Sequence, residues 1–94
     1  MIVVSDTSPL RALDFLGLLP LLKVLFDHVL IPPAVRDELD APLPQFAAID
    51  VTAFDFIEVR NPQDINRIQE FLRTLDRGES EALALALETG AQLI

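Results

Sequence analysis

Three short, mostly apolar runs, Ile2–Ser5, His28–Ile31 and Phe56–Val59, are each followed closely by signals that start a helix. This alternation constrains the fold more than any other feature. Runs without a polar alternation suit strands buried on both faces, as in a parallel sheet. After the first run, Asp6 stands at the strand's carboxyl end. Thr7 and Ser8 then offer N-caps, and Pro9 suits the first helical position of a helix to Leu16, closed by Gly17. A second helix begins near Leu18 or Pro20, with Leu18, Leu21, Leu22 and Leu25 at helical spacing. Pro32 and Pro33 stop the second strand, and Pro33 opens a helix over Ala34–Leu39.

Residues 40–54, with Pro42, Pro44 and several alanines, are the best loop, with room for one short helix. Asn61-Pro62 breaks the chain after the third strand. A long amphipathic helix is predicted next, with Ile65, Ile68, Phe71, Leu72 and Leu75 on one face. Asp76-Arg77-Gly78 reads as a turn, Glu79–Thr89 as a buried helix capped by Gly90, and Ala91–Ile94 as a fourth strand. Strands alternating with helices predict an α/β fold: a three-layer α/β/α sandwich on a parallel sheet, with four strands and the last at the chain end. The 94 residues suit one domain, 1–94, with no internal repeat. Because the last strand stops as it begins, the domain is expected to be C-terminally shortened.

Composition narrows the chemistry. The absence of cysteine excludes disulfides, thiolate catalysis and Cys-based zinc sites. One histidine, His28, excludes multi-His metal sites. Fifteen acids against seven Lys+Arg give a net charge of −8, which disfavours general binding of phosphate backbones. That charge suits a basic partner, or divalent cations at a local carboxylate cluster. The N-terminus MIVVSDTSPL lacks the basic region of a signal peptide. The apolar stretch Leu16–Phe26 is broken by Gly17, Pro20 and Lys23, and a span needs about 20 apolar residues. A soluble, cytoplasmic chain with no membrane partner is expected.

Three acids define a candidate site. Open parallel sheets bind ligands at the carboxyl ends of their strands. Asp6 stands at that end of the first strand. Glu38 lies on the rim of the following helix's buried face, and Glu81 near the start of a later helix whose inner stripe includes Ala84 and Leu85. Carboxylates meeting in one crevice are stable mainly around a cation, and hard Mg²⁺ or Mn²⁺ prefers oxygen ligands. The plain structural alternative makes Asp6 a cap, Glu38 a surface acid, and Glu79 and Glu81 a pair favoured by the helix dipole.

The segments Val3–Leu10, Val29–Pro32 with Val35–Leu39, and Gly78–Ala86 (GESEALALA) together resemble the PIN domain superfamily, in order and across essentially the whole chain. Within it the chain resembles an uncharacterised prokaryotic branch close to the VapC-type toxins. The resemblance implies a Mg²⁺- or Mn²⁺-dependent ribonuclease on an α/β/α sandwich, a toxin paired with a basic antitoxin. It implies Asp6, Glu38 and Glu81 as catalytic metal ligands, Ser8 as a hydroxyl beside the first acid, and Glu79 as assistant or substitute for Glu81. Asp37 is the alternative to Glu38. The family's further Asp after the last strand has no counterpart in this sequence. A second hypothesis is therefore a catalytically dead PIN scaffold that binds protein.

Other residues divide between plain and functional readings. His28, beside Asp27, is a structural histidine or a general base. Arg11 and Arg36 pair with nearby acids or touch an RNA phosphate. The leucine-rich segment 16–26 exceeds what one buried helix face needs, and its surplus suits a partner or homodimer surface. The six phenylalanines, without Tyr or Trp, are assigned to the core and offer no evident base-stacking platform.

Overall fold

The computed structural model describes residues 1–94. Its elements run β1 (Ile2–Val4), α1 (Thr7–Phe15), α2 (Leu21–Leu25), β2 (His28–Ile31), α3 (Pro33–Asp40), a 3₁₀ turn (Val51–Ala53), β3 (Ile57–Val59), α4 (Ile65–Phe71), α5 (Arg77–Thr89) and β4 (Gln92–Leu93). The strands form one parallel sheet in the order β3-β2-β1-β4. Val3 lies opposite Val29 on one side and Gln92 on the other, and Val29 lies opposite Ile57. This is the α/β sandwich expected from the alternation of strands and helices.

The sequence explains why the sheet is covered on both faces. Val3, Val4, Val29, Leu30 and Ile31 point alternately to opposite sides, yet each is at most 1% exposed. Each such side chain contributes about 1.5–3 kcal/mol through burial. Leu10 of α1, Leu19 and Leu22 around α2, Val35 and Leu39 of α3, and Ala82 and Leu85 of α5 complete the core. Helix α3 packs against both α1 and α5, and α5 also packs on β1. Three helices are thereby gathered beside the carboxyl end of β1.

Several boundaries differ from expectation. The N-cap of α1 is Asp6, whose Oδ1 accepts the Thr7 N–H at 2.8 Å, rather than Thr7 or Ser8. Helix α5 begins at Arg77, because Asp76 caps it: Asp76 Oδ1 accepts the Glu79 N–H at 2.8 Å, and Glu79 reaches back to the Asp76 N–H. Gly90, at φ +71°, closes α5 in the left-handed conformation. The predicted long helix after Pro62 is only α4, and none of its residues is buried. Ile65 is 65% exposed, whereas Ile68, Phe71 and the following Leu75 are partly buried, and α4 packs against α5. The start of α4 is held instead by polar contacts: Glu88 of α5 accepts the N–H groups of Gln63 and Asp64.

The surplus in segment 16–26 is real. Leu19 and Leu22 are buried, whereas Leu16, Leu18, Leu21, Val24 and Leu25 are exposed, Val24 to 81%. Phe15, at the end of α1, is 67% exposed, which corrects its assignment to the core. No helix is long and apolar enough to cross a membrane.

Candidate active site

Asp6 lies where β1 ends and α1 begins. Its backbone N–H donates to the Ile94 carbonyl at 3.1 Å, and the preceding Ser5 N–H donates to the Leu30 carbonyl at 3.0 Å. The parallel ladder on both sides therefore fixes the Asp6 backbone. Asp6 Oδ1 caps α1, which leaves Asp6 Oδ2 and the Thr7 hydroxyl to act elsewhere. Thr7 Oγ1 donates to Glu38 Oε2, joining the start of α1 to α3 across 31 residues of sequence. Asp6 and Glu38 thus flank one threonine.

Gly78 completes this corner. A Cβ at this position would stand 3.0 Å from Glu38 Cδ and closer still to Oε1. Residue 78 has no side chain, so the Glu38 carboxylate can lie against the first turn of α5. Next to it, the Glu79 carboxyl is pushed above its ordinary range. The hydrogen bond from the Asp76 N–H favours its charged form. The Asp76 side chain, lost hydration and the charge of Asp6 outweigh that bond. The Asp6 charge is the smallest of these contributions.

Glu81 is placed differently. Its Oε1 accepts the Ala34 N–H at 3.1 Å, and its Oε2 accepts from Arg77 Nε at 3.0 Å. Arg77 also reaches Asp37 at 3.4 Å. Pro32 supplies no capping side chain and Pro33 no N–H, so Glu81 serves as the N-terminal cap of α3 from another helix. Its side chain is 12% exposed, in keeping with the inward orientation expected from Ala84 and Leu85.

Asp6 precedes α1, and Glu38 and Glu81 lie on α3 and α5, but no three acidic or histidine side chains form a ready metal-holding group. The donor set itself is hard oxygen, the kind Mg²⁺ and Mn²⁺ take. Asp6 and Glu38, with Glu79 in electrostatic range, fit an ion in kind. Glu81 fits only by exchanging its present partners.

The remaining candidates resolve as follows. Ser8 is exposed in the first turn of α1, beside Asp6. Arg11 makes no salt bridge, contrary to expectation. It is 7% exposed, and its Nη2 donates to the Glu38 and Ala41 carbonyls at 2.5 and 2.9 Å, capping the C-terminal end of α3. Arg36 pairs with its neighbour Asp37 at 3.2 Å. His28 lies 3.2 Å from Glu58 on β3, a structural contact. Sequence reasoning missed Thr7, Gly78 and Arg77. A glycine just before the acids of a helix start was the available sign for Gly78.

A PIN domain family model matches residues 2–94. The fold is a parallel α/β sandwich, and the chain belongs to the PIN domain family. PIN domains in general are nucleases that use a divalent metal. No curated protein and no solved structure matches the chain.

Proposed function

We propose that this chain is a Mg²⁺- or Mn²⁺-dependent endoribonuclease close to the VapC-type toxins, hydrolysing RNA phosphodiester bonds in the cytoplasm. The observation that carries this reading is the link from Thr7 to Glu38, which holds two acids from different elements at the carboxyl edge of a PIN sheet. Asp6 and Glu38 would hold the ion, with Glu81 as third ligand after leaving Arg77, and with Ser8 and Glu79 beside them. When bound, the ion supplies charge stabilisation for the phosphoryl group and a more acidic water. The chain's own part is to fix the acids. The β1 ladder sets Asp6, Thr7 orients Glu38, and Gly78 leaves Glu38 its space. Arg77, displaced from Glu81, is free to meet a phosphate oxygen.

The partner implied by the −8 charge is a basic antitoxin segment. The exposed face of Leu21, Val24 and Leu25 supports a homodimer. A second reading, a PIN scaffold without catalysis that binds protein, is favoured by the engagement of Glu81 with Ala34 and Arg77. Cleavage of a labelled RNA in Mn²⁺ separates the two. The enzyme reading predicts cleavage by the native chain that Asp6→Asn abolishes. No cleavage by either chain would favour the scaffold.

A further inference from the structure

One guanidinium joins acids of two helices. Arg77 Nε donates to Glu81 Oε2 at 3.0 Å, and its Nη1 donates to Asp37 Oδ2 at 3.4 Å, so the first residue of α5 bridges to α3. Glu81 needs a cation at that oxygen. Its side chain is largely buried, and a carboxylate taken out of water is costly unless a counter-charge faces it. Its other oxygen is committed, because Oε1 accepts the Ala34 N–H at 3.1 Å and so caps α3. Any exchange of partners at Glu81 therefore falls on Oε2, and on Arg77.

The arginine is held weakly. It is exposed, so it can turn into water with little loss of burial. It opens α5, where the helix dipole disfavours a cation. It also stands four residues before its acid, the weaker order for an ion pair on a helix. Asp37 adds little to the hold, because it is exposed and shared with Arg36 Nη2 at 3.2 Å. A divalent ion carries more charge than a guanidinium and takes carboxylate oxygens directly. It can meet the need of Glu81 for a counter-charge without disturbing the bond to Ala34.

We propose that Arg77 is an internal counter-cation, which holds the ion's place on Glu81 Oε2 until a divalent ion displaces it into solvent. The inference concerns regulation of the proposed metal site and rests on that reading. Arg77 keeps Glu81 oriented and neutralised while the site is empty, and it sets a threshold that the ion must overcome. Metal binding and release of Arg77 are then one event.

The test is calorimetric titration of Mn²⁺ into the native chain, Arg77→Ala, Arg36→Ala and Asp6→Asn, each checked for folding by a thermal melt. Arg77→Ala should bind Mn²⁺ about fivefold tighter than the native chain, the scale of one lost ion pair. Arg36→Ala removes an equal charge beside Asp37 but no partner of Glu81, and should stay near the native affinity. The Arg77 Nε–Hε resonance gives a second readout. Saturating Mg²⁺ should move it to the position it has in metal-free Glu81→Gln. Native affinity in Arg77→Ala, an equal gain in Arg36→Ala, or a resonance that Mg²⁺ leaves in place would each overturn the proposal. Mn²⁺ binding that Asp6→Asn abolishes but Arg77→Ala leaves unchanged removes the role of Arg77 and keeps the metal site. No binding by any of the chains removes the metal site and the proposal together.

Discussion

Glu81 of α5 accepts the backbone N–H of Ala34, the first amide of α3 that has a hydrogen to give. Val35 and Arg36 both donate to the Pro32 carbonyl, so with Glu81 the start of α3 has its donors satisfied. One carboxylate thus closes a helix end that two prolines leave without a cap. Glu81→Ala should destabilise the fold by about 1–3 kcal/mol, the cost of an orphaned buried donor. Glu81→Gln keeps an acceptor oxygen and should recover most of that loss. Thermal melts of the two variants check this. If Glu81 also binds the ion, Glu81→Gln will melt near the native value yet lose Mn²⁺ affinity.

Gly78→Ala carries an unusual sign. Alanine in a helix is ordinarily better than glycine by about 1 kcal/mol. At this position its Cβ would press on Glu38 Cδ at 3.0 Å. The variant should gain no stability, and Mn²⁺ affinity should fall about tenfold or more, as when a supporting contact of a ligand is lost. Paired melts and metal titrations give the answer.

These contacts show where sequence reading stops. The strand that ends at Asp6 and the helix that follows are local matters, legible in Ile2–Pro9 from β-branching and capping chemistry. The pairing of Thr7 with Glu38 and of Glu81 with Ala34 spans 31 and 47 residues, and no local rule fixes either. Which acid caps a helix and which faces a ligand is decided by packing of α1, α3 and α5. The same holds for α4, whose apolar period was evident but whose burial depends on how much of α5 it meets. Arg11 was misjudged because its sequence neighbours suggested acids, whereas the folded chain offers it carbonyls.

Acid should weaken the fold in a defined window. The hydrogen bond from Arg60 holds Glu58 below its ordinary range; lost hydration opposes it, and His28 adds a smaller lowering contribution. Thr52 does the same for Asp50, and the N-terminal amine for Asp27. A carboxyl depressed in the folded state contributes stability above its unfolded value, here 4.5 for Glu58, and loses it as pH falls through the folded value. Glu79, shifted upward, works in the opposite sense: its contribution is lost as pH rises through its folded value. Melting temperature should therefore drop as pH is lowered below 4.5, and Glu58→Gln should flatten part of that drop.

The exposed apolar face around α2 predicts self-association. Val24 is 81% exposed and Leu25 59%, an unusual surface for a free monomer. Light scattering should give a dimer for the native chain and a monomer for Val24→Glu with Leu25→Glu. A native monomer would count against the dimer.

The most direct measurement is calorimetric titration of Mn²⁺ into the native chain and into Asp6→Asn. Asparagine is as good a cap as aspartate, so the variant should keep α1 and its fold, which a thermal melt verifies. The account predicts Mn²⁺ binding by the native chain that is lost in Asp6→Asn. Equal binding by both, or none by either, would contradict it.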